Sequence, residues 1–343
     1  MISALPAYPP QGSVMNFELD LQILSAVQLN PRISWTRLAA ILSVDPSTIS
    51  RRWTRMRDNR TVWTTCFAVP KPVSEHMMYA FVELSCAPGR RQQIIDVLTD
   101  EHRIYSVNCT SGSRDLFLIV SAPGLVALDG YIDDRITSIS GVTGAKTHFV
   151  QSVHLDGPGS RLGFLTDSQA KDVLQTVPVP TRRIPMSESY LDLISALAGD
   201  IRRPVSDVQR EVGRSVSSVS RGIEALLGVE WARWRVDIAH DHMGWEAEAM
   251  LWLRVDHPER DRVIAMVTKQ PHVRLCASVV GEANLVGSFW MRDLYELDAI
   301  ERRLQSAFPE VSVVDRWIIP RVAKRTGHVL DGEGLWSHFI GLQ

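Results

Sequence analysis

Ser47-Thr48-Ile49-Ser50-Arg51 falls, 170 positions further along the chain, on Ser217-Ser218-Val219-Ser220-Arg221. The same shift lays Leu21, Leu24 and Val27 on Leu191, Ile194 and Leu197, and Arg32 on Arg202. At a shift of 169, Val82 and Leu84 meet Leu251 and Leu253, Gly112 and Leu116 meet Gly281 and Leu285, and Val142 meets Val311. An internal repeat decides the fold ahead of any local pattern. Tandem duplication is the economical explanation.

Around the quoted stretch each half reads alike. Leu19–Leu29 carries apolar residues at helical spacing. Ser34 is a good N-cap for a second helix with Leu38, Ile41 and Leu42 inward. Asp45 then caps a third helix, with Pro46 at its first position and Ile49, Trp53 and Met56 inward. Three short helices with a tight turn before the last form a helix-turn-helix pattern, and Thr61–Val69 reads as a wing-like strand. Beyond it, strands at 79–84, 105–109, 115–120 and 145–150 alternate with helices at 91–98 and 125–136, the β-α-β-β-α-β order of a ferredoxin-like domain. The second half repeats this order from 249 to 319.

The predicted fold is therefore α+β, two tandem copies of a winged helix-turn-helix followed by a ferredoxin-like βαββαβ domain. The boundaries are 17–62 and 63–154 for the first copy and 188–232 and 233–325 for the second. Gly157-Pro158-Gly159 and Pro178-Val179-Pro180 mark 155–187 as a linker, with one helix expected at 168–175. Met1–Asn16 and 326–343 read as tails.

Composition agrees. A chain of 343 residues is long for one core. With 45% hydrophobic residues and a net charge of −2, it is neither disordered nor uniformly basic. No apolar run approaches the roughly 18 residues of a membrane span. Four scattered cysteines suggest neither disulfides nor zinc, so a cytoplasmic protein with reduced thiols and without metal or cofactor is expected. The charge is uneven, however. Seven arginines against two acids between Arg32 and Arg60 give a local +5, the footprint of a polyanion partner.

Leu19-Asp20, Arg32-Ile33-Ser34, Leu38-Ala39, Ser47-Thr48-Ile49-Ser50-Arg51-Arg52 and Gly112-Ser113-Arg114-Asp115-Leu116 together resemble the leucine-responsive regulator (Lrp/AsnC) family over residues 17–152 and, more weakly, 188–322. The resemblance implies a transcriptional regulator. Its ferredoxin-like domain would dimerise through the sheet and bind an amino acid or related small molecule near the Gly-x-x-Asp turn.

On the third helix, Ser47, Thr48, Arg51 and Arg55 share one face, where small hydroxyls and forked guanidiniums suit phosphates and guanine edges of double-stranded DNA. Ser34, Pro46, Ser50 and Arg52 complete the expected interface, with Ser217, Ser218 and Arg221 in the second copy. That copy reads as degraded: Gly222, Ala225 and Leu227 stand where the first has Arg52, Arg55 and Arg57. Effector contact is expected at Thr110, Gly112 and Asp115, and at Gly281 and Asn284, where the carboxylate has become an amide. The two sheets of one chain are expected to pair as an internal pseudo-dimer, with a further homodimer for a palindromic site.

No residues point to catalysis. Siroheme (tetrapyrrole) decarboxylases resemble the same architecture, but a His-Asn-Tyr-x-Arg type stretch is missing from Ile104–Asn108 and Val273–Ala277. A small-molecule sensor without DNA is the third reading. His240-Asp241-His242 is too sparse for a metal site.

Overall fold

A computed structural model of the chain describes residues 14–69, 77–157, 163–179, 184–270 and 272–342. The predicted N-terminal tail up to Ser13, and Pro158, Gly159 and Pro180 of the linker, lie outside the described residues. Helices α1 (Val14–Leu29), α2 (Trp35–Leu42) and α3 (Pro46–Asp58) open the chain. The Ser34 side chain caps α2 by accepting from the Arg37 N–H. Asp45 caps α3 by accepting from the Ser47 N–H at 2.8 Å, and Pro46 sits where the missing donor costs nothing.

Next come β1 (Val62–Ala68), β2 (Met77–Cys86), α4 (Arg91–Thr99), β3 (Ile104–Cys109), β4 (Leu116–Pro123), α5 (Leu125–Tyr131) and β5 (Val142–Leu155). The expected second helix changes character after Tyr131, winding on as a π turn over Ile132–Thr137. The linker helix is α6 (Asp167–Leu174), closed by a reciprocal capping box between Thr166 and Gln169. From α7 (Glu188–Leu197), α8 (Val205–Val212) and α9 (Val216–Leu227) the order recurs through β6 (Ala232–Ile238), β7 (Ala247–Arg254), α10 (Arg260–Val267), β8 (Val273–Val279), β9 (Leu285–Met291), α11 (Tyr295–Ala307) and β10 (Ser312–Ile319).

The expected wing is not one. β1 pairs antiparallel with β6 of the other half, Val62 opposite Ile238 and Ala68 opposite Ala232. Each strand is too short to stand alone, and the partner that completes it lies far along the chain.

The remaining strands form one order, β10-β7-β9-β8-β5-β2-β4-β3, continued by β11 (Arg321–Arg325), β12 (His328–Leu330) and β13 (Trp336–Phe339). β10 and β11 are separated by Pro320 alone, so one length of chain belongs to both ends and curls the sheet onto itself. The joins between halves match position for position. Ser152, Val153 and Leu155 oppose Ser278, Ala277 and Cys276, while Arg321, Val322 and Lys324 oppose Cys109, Asn108 and Val107. A bulge interrupts both ladders at the same step. The two halves of one chain thus pair with each other.

Phe81 and Phe117 of the first half meet Met250, Trp252, Val286 and Trp317 of the second in a common core between the sheets. Helices α4 and α5 cover the outer face of one sheet, and α10 and α11 that of the other.

The expected C-terminal tail is not loose either, since residues 328–330 and 336–339 add two strands to the sheet. Gly327, at φ 82°, makes the turn, and a Cβ there would lie 2.6 Å from the Ile340 carbonyl. Asp331 accepts from the N–H groups of Glu333 and Leu335 and pairs with Arg60 at 3.0 Å. The segment is held by contacts to the end of α3 that no local pattern announces.

Candidate nucleic-acid interface

The two helical heads share one core, in which Ile49, Trp53 and Met56 of α3 and Val219, Ile223 and Leu226 of α9 are buried. Their contact is reciprocal. Arg32 donates to the carbonyls of Ile201 and Arg203 at 2.7 and 3.1 Å. Arg202 donates to those of Pro31 and Ile33 at 2.7 and 3.0 Å. Burial lowers the pKa of both guanidiniums, that of Arg202 to about 10 with Arg32 contributing.

On α3, Ser47, Arg51 and Arg55 are exposed, while Thr48 and Ser50 are half-buried. Arg51 carries its charge on the open face. Arg52 and Arg55 do not project freely. Both reach back to the buried carboxylate of Asp20 on α1, at 3.0 and 2.8 Å. Their expected role as DNA ligands thus competes with one in holding α3 on α1, although Arg55 stays nearly half exposed. Ser34 and Pro46 serve the helix starts, and the Ser47 hydroxyl donates to Asp45 at 2.5 Å.

On α9, Ser217 and Arg221 are exposed and Ser218 half-buried; Arg221 folds back on the Ser217 carbonyl at 3.2 Å. Gly222 has a packing reason: a Cβ there would lie 2.5 Å from Leu193 Cδ1. Apolar contact replaces the Arg52–Asp20 pair, because position 190, matching Asp20, is a tyrosine.

The effector turns are fastened rather than open. Asp115 accepts from the Cys86 N–H at 2.7 Å. Asn284 does the same for Val255 at 2.9 Å and donates back to its carbonyl at 2.8 Å. One oxygen of the carboxylate expected to receive a ligand ammonium, Oδ2, therefore already accepts a backbone bond. Thr110 closes its own turn, donating to the Arg114 carbonyl, and Gly112 sits at φ 92° on its crest. Gly281 and Asn284 line a polar hollow of about 320 Å³ with Arg254, Asp256, His257 and Glu282.

Two charged clusters are invisible to sequence patterns because their members are far apart in the chain. Glu83 sits between Arg114 at 2.6 Å and His148 at 2.7 Å, and Arg114 continues to Asp315 at 2.6 Å. Burial alone would raise the Glu83 pKa; His148 and Arg114 bring it below the usual carboxylate value. Near β6, Asp237 pairs with Arg235 and with Arg274 at 3.2 Å, while Arg325 meets Glu248 at 2.5 Å. Burial opposes the Glu248 charge, but Arg325, His240 and the hydrogen bond from Ser288 together outweigh it and lower the pKa to about 2. His240 stacks on Trp290 and His242 bonds the Glu333 carbonyl, so the pair is divided. No metal-ligand cluster occurs among the described residues.

Comparison with known proteins agrees with the head and the first sheet. The AsnC-type helix-turn-helix domain matches residues 18–57, and the Lrp/AsnC ligand binding domain matches residues 79–159. An uncharacterized HTH-type transcriptional regulator of Pyrococcus furiosus is 24% identical over 136 residues, covering 40% of this chain and 92% of its own length. The HTH-type transcriptional regulator FL11 of Pyrococcus abyssi is 23% identical over 137 residues, 40% of this chain and 90% of its own. Among solved structures, siroheme decarboxylase NirDL in complex with an iron-uroporphyrin III analogue superposes with a TM-score of 0.57 at 12% identity, over 90% of this chain and 93% of that one. At that identity the likeness concerns the fold, and it spans both halves. The first half of this chain carries an AsnC-type helix-turn-helix domain followed by an Lrp/AsnC ligand-binding domain.

Proposed function

We propose that the protein is a sequence-specific DNA-binding transcriptional regulator whose two heads, products of a tandem duplication, are unequal. The observation that carries this is α3: its buried side is anchored by Ile49, Trp53 and Met56, and its exposed face presents Ser47 and Arg51. A serine at the start of a helix suits a phosphate, and an exposed guanidinium suits guanine. The second head offers Ser217 and Arg221 beside the acidic Glu224, a weaker half-site. A small molecule modulates the protein, and two chains associate to read a palindrome. Footprinting on the DNA flanking the gene tests the reading. Protection lost on Arg51→Ala supports it; no protected site anywhere in that DNA rejects it.

The likeness to NirDL over most of the chain favours a second reading, a tetrapyrrole decarboxylase. The segments at Ile104–Asn108 and Val273–Ala277 place Tyr105 and Arg274 at matching positions but no His-Asn-Tyr-x-Arg stretch. Titration with an iron uroporphyrin, followed by visible absorbance, eliminates this reading if no saturable change develops.

A further inference from the structure

The contact between the heads is symmetric in its hydrogen bonds and asymmetric in its packing. Where Arg202 crosses to the first head, its guanidinium lies 3.7 Å from the ring centre of Trp35 and 5.8 Å from that of Trp53. The two indoles themselves are 5.7 Å apart. That side is filled by an aromatic and cationic stack. Where Arg32 crosses to the second head, positions 205 and 223, matching 35 and 53, are Val205 and Ile223. Two indoles have become two small aliphatic groups. The space they vacate is a cleft of about 400 Å³ beside Arg32, within the size range of small-molecule sites.

We propose that this cleft is a ligand site for a planar aromatic ring carrying a carboxylate and an ammonium. The ring lies on the Arg32 guanidinium as Trp35 lies on Arg202, with Val205, Ile223 and Leu227 as its apolar walls. Arg32 already spends two bonds on carbonyls, which fixes its plane for stacking. The carboxylate goes to Arg37, exposed at the cleft. The ammonium goes to Glu224, on the opposite wall, where the first head has Thr54. The site is remote from the Gly-x-x-Asp turns and draws its walls from both heads, so only the paired halves possess it.

The test uses the full chain and reads binding directly, so it succeeds or fails independently of DNA recognition. Calorimetry with L-tryptophan is expected to give saturable binding in the micromolar to low millimolar range. Val205→Trp, which supplies the missing indole from the protein itself, should abolish binding while leaving the thermal midpoint unchanged or higher. Arg37→Gln, at an exposed position that folding does not need, should weaken binding about tenfold and decides the matter if the tryptophan variant misfolds. Indole-3-propionate, which lacks the ammonium, should bind about tenfold more weakly; equal affinity overturns the role of Glu224. No saturable binding of L-tryptophan, or wild-type binding by both variants, overturns the site.

Discussion

Arg51 and Arg52 are adjacent in sequence and opposite in assignment. Arg51 faces solvent, whereas Arg52 shares the buried Asp20 carboxylate with Arg55. A helical wheel separates the two by about 100° but cannot reveal that a carboxylate of α1 waits on one side. Arg51→Ala should therefore cost about 1–3 kcal/mol of discrimination between specific and random DNA in competitive gel shifts, with stability unchanged. Arg221→Ala should cost less. Arg52→Ala should lower unfolding free energy by about 1.5–3 kcal/mol in urea titration, the range for a hydrogen bond to a charged group. Equal effects of Arg51→Ala and Arg52→Ala on stability would undo the distinction. Asp115 is a second such case. An ammonium receptor and a turn fastener look identical in sequence, and the Cys86 N–H that makes Asp115 a fastener comes from a strand 29 residues away. Asp115→Ala should destabilise the fold by about 1–3 kcal/mol, because it strands that half-buried donor. Unchanged thermal stability would make Asp115 an open ligand group once more.

Elements with local punctuation are legible in the sequence alone. Ser34, Asp45 and Pro46 set the starts of α2 and α3, and the apolar spacing of 21, 24 and 27 sets α1. Elements defined by distant partners are not. β1 is visible as a strand, but its pairing with β6 joins positions about 170 residues apart, so its local pattern suggests a wing. β12 and β13 are only three and four residues long, too short to show a period, and their register comes from β11 and from Arg60 at the end of α3. Gly222 shows how a local rule misleads. A helix-interior glycine reads as decay, costing about 1 kcal/mol against alanine, yet here it gives room to the end of the Leu193 side chain in the helix–helix contact. Gly222→Arg, which writes the first head's residue into the second, should destabilise rather than repair, by about 1–3 kcal/mol from overpacking. A gain in DNA affinity without loss of stability would show that α9 is a damaged reader rather than a repacked one.

Across the whole molecule, pairing between halves is specified by charges that an identical pair could not share. Glu83, Arg114, His148 and Lys146 of the first half lie at positions whose counterparts in the second are Trp252, Ala283, Trp317 and Asp315. Two copies of the first half would leave Arg114 without Asp315, and two copies of the second would leave Asp315 and Trp317 without Arg114. In the chain itself Arg114 bridges Glu83 and Asp315 over the Trp317 ring, and His148 lies 4.5 Å from Trp252. Residues 1–155 and 188–343, expressed apart and mixed, should therefore form the 1:1 complex in native mass spectrometry; preferred homodimers would reject internal specificity. The fold also draws histidines away from water, His328 against Thr64 and Trp63 of the first half and His240 and His272 against Trp290 and Trp245 of their own. Burial, with Arg325 nearby, lowers the pKa of His240 to about 4, and burial with Arg292 does the same for His272. His328 falls to about 3, burial outweighing the opposing pull of Asp237 and the Thr64 carbonyl. Each ring is neutral in the folded chain, whereas in the unfolded chain it takes up a proton near its ordinary value of 6.5. Below that pH the unfolded state binds more protons, so the stability due to these rings is whole above 6.5 and drains away as pH falls toward 4. The slope approaches about 1.4 kcal/mol per pH unit for each histidine. The thermal midpoint, measured at constant ionic strength, should hold above neutrality and drop steeply between pH 6.5 and 4.5. His272→Gln, which removes one titrating ring, should make that drop shallower. A midpoint flat from pH 7 to 5 would mean that the folded protein admits the protons, and that these rings are not kept neutral by their surroundings.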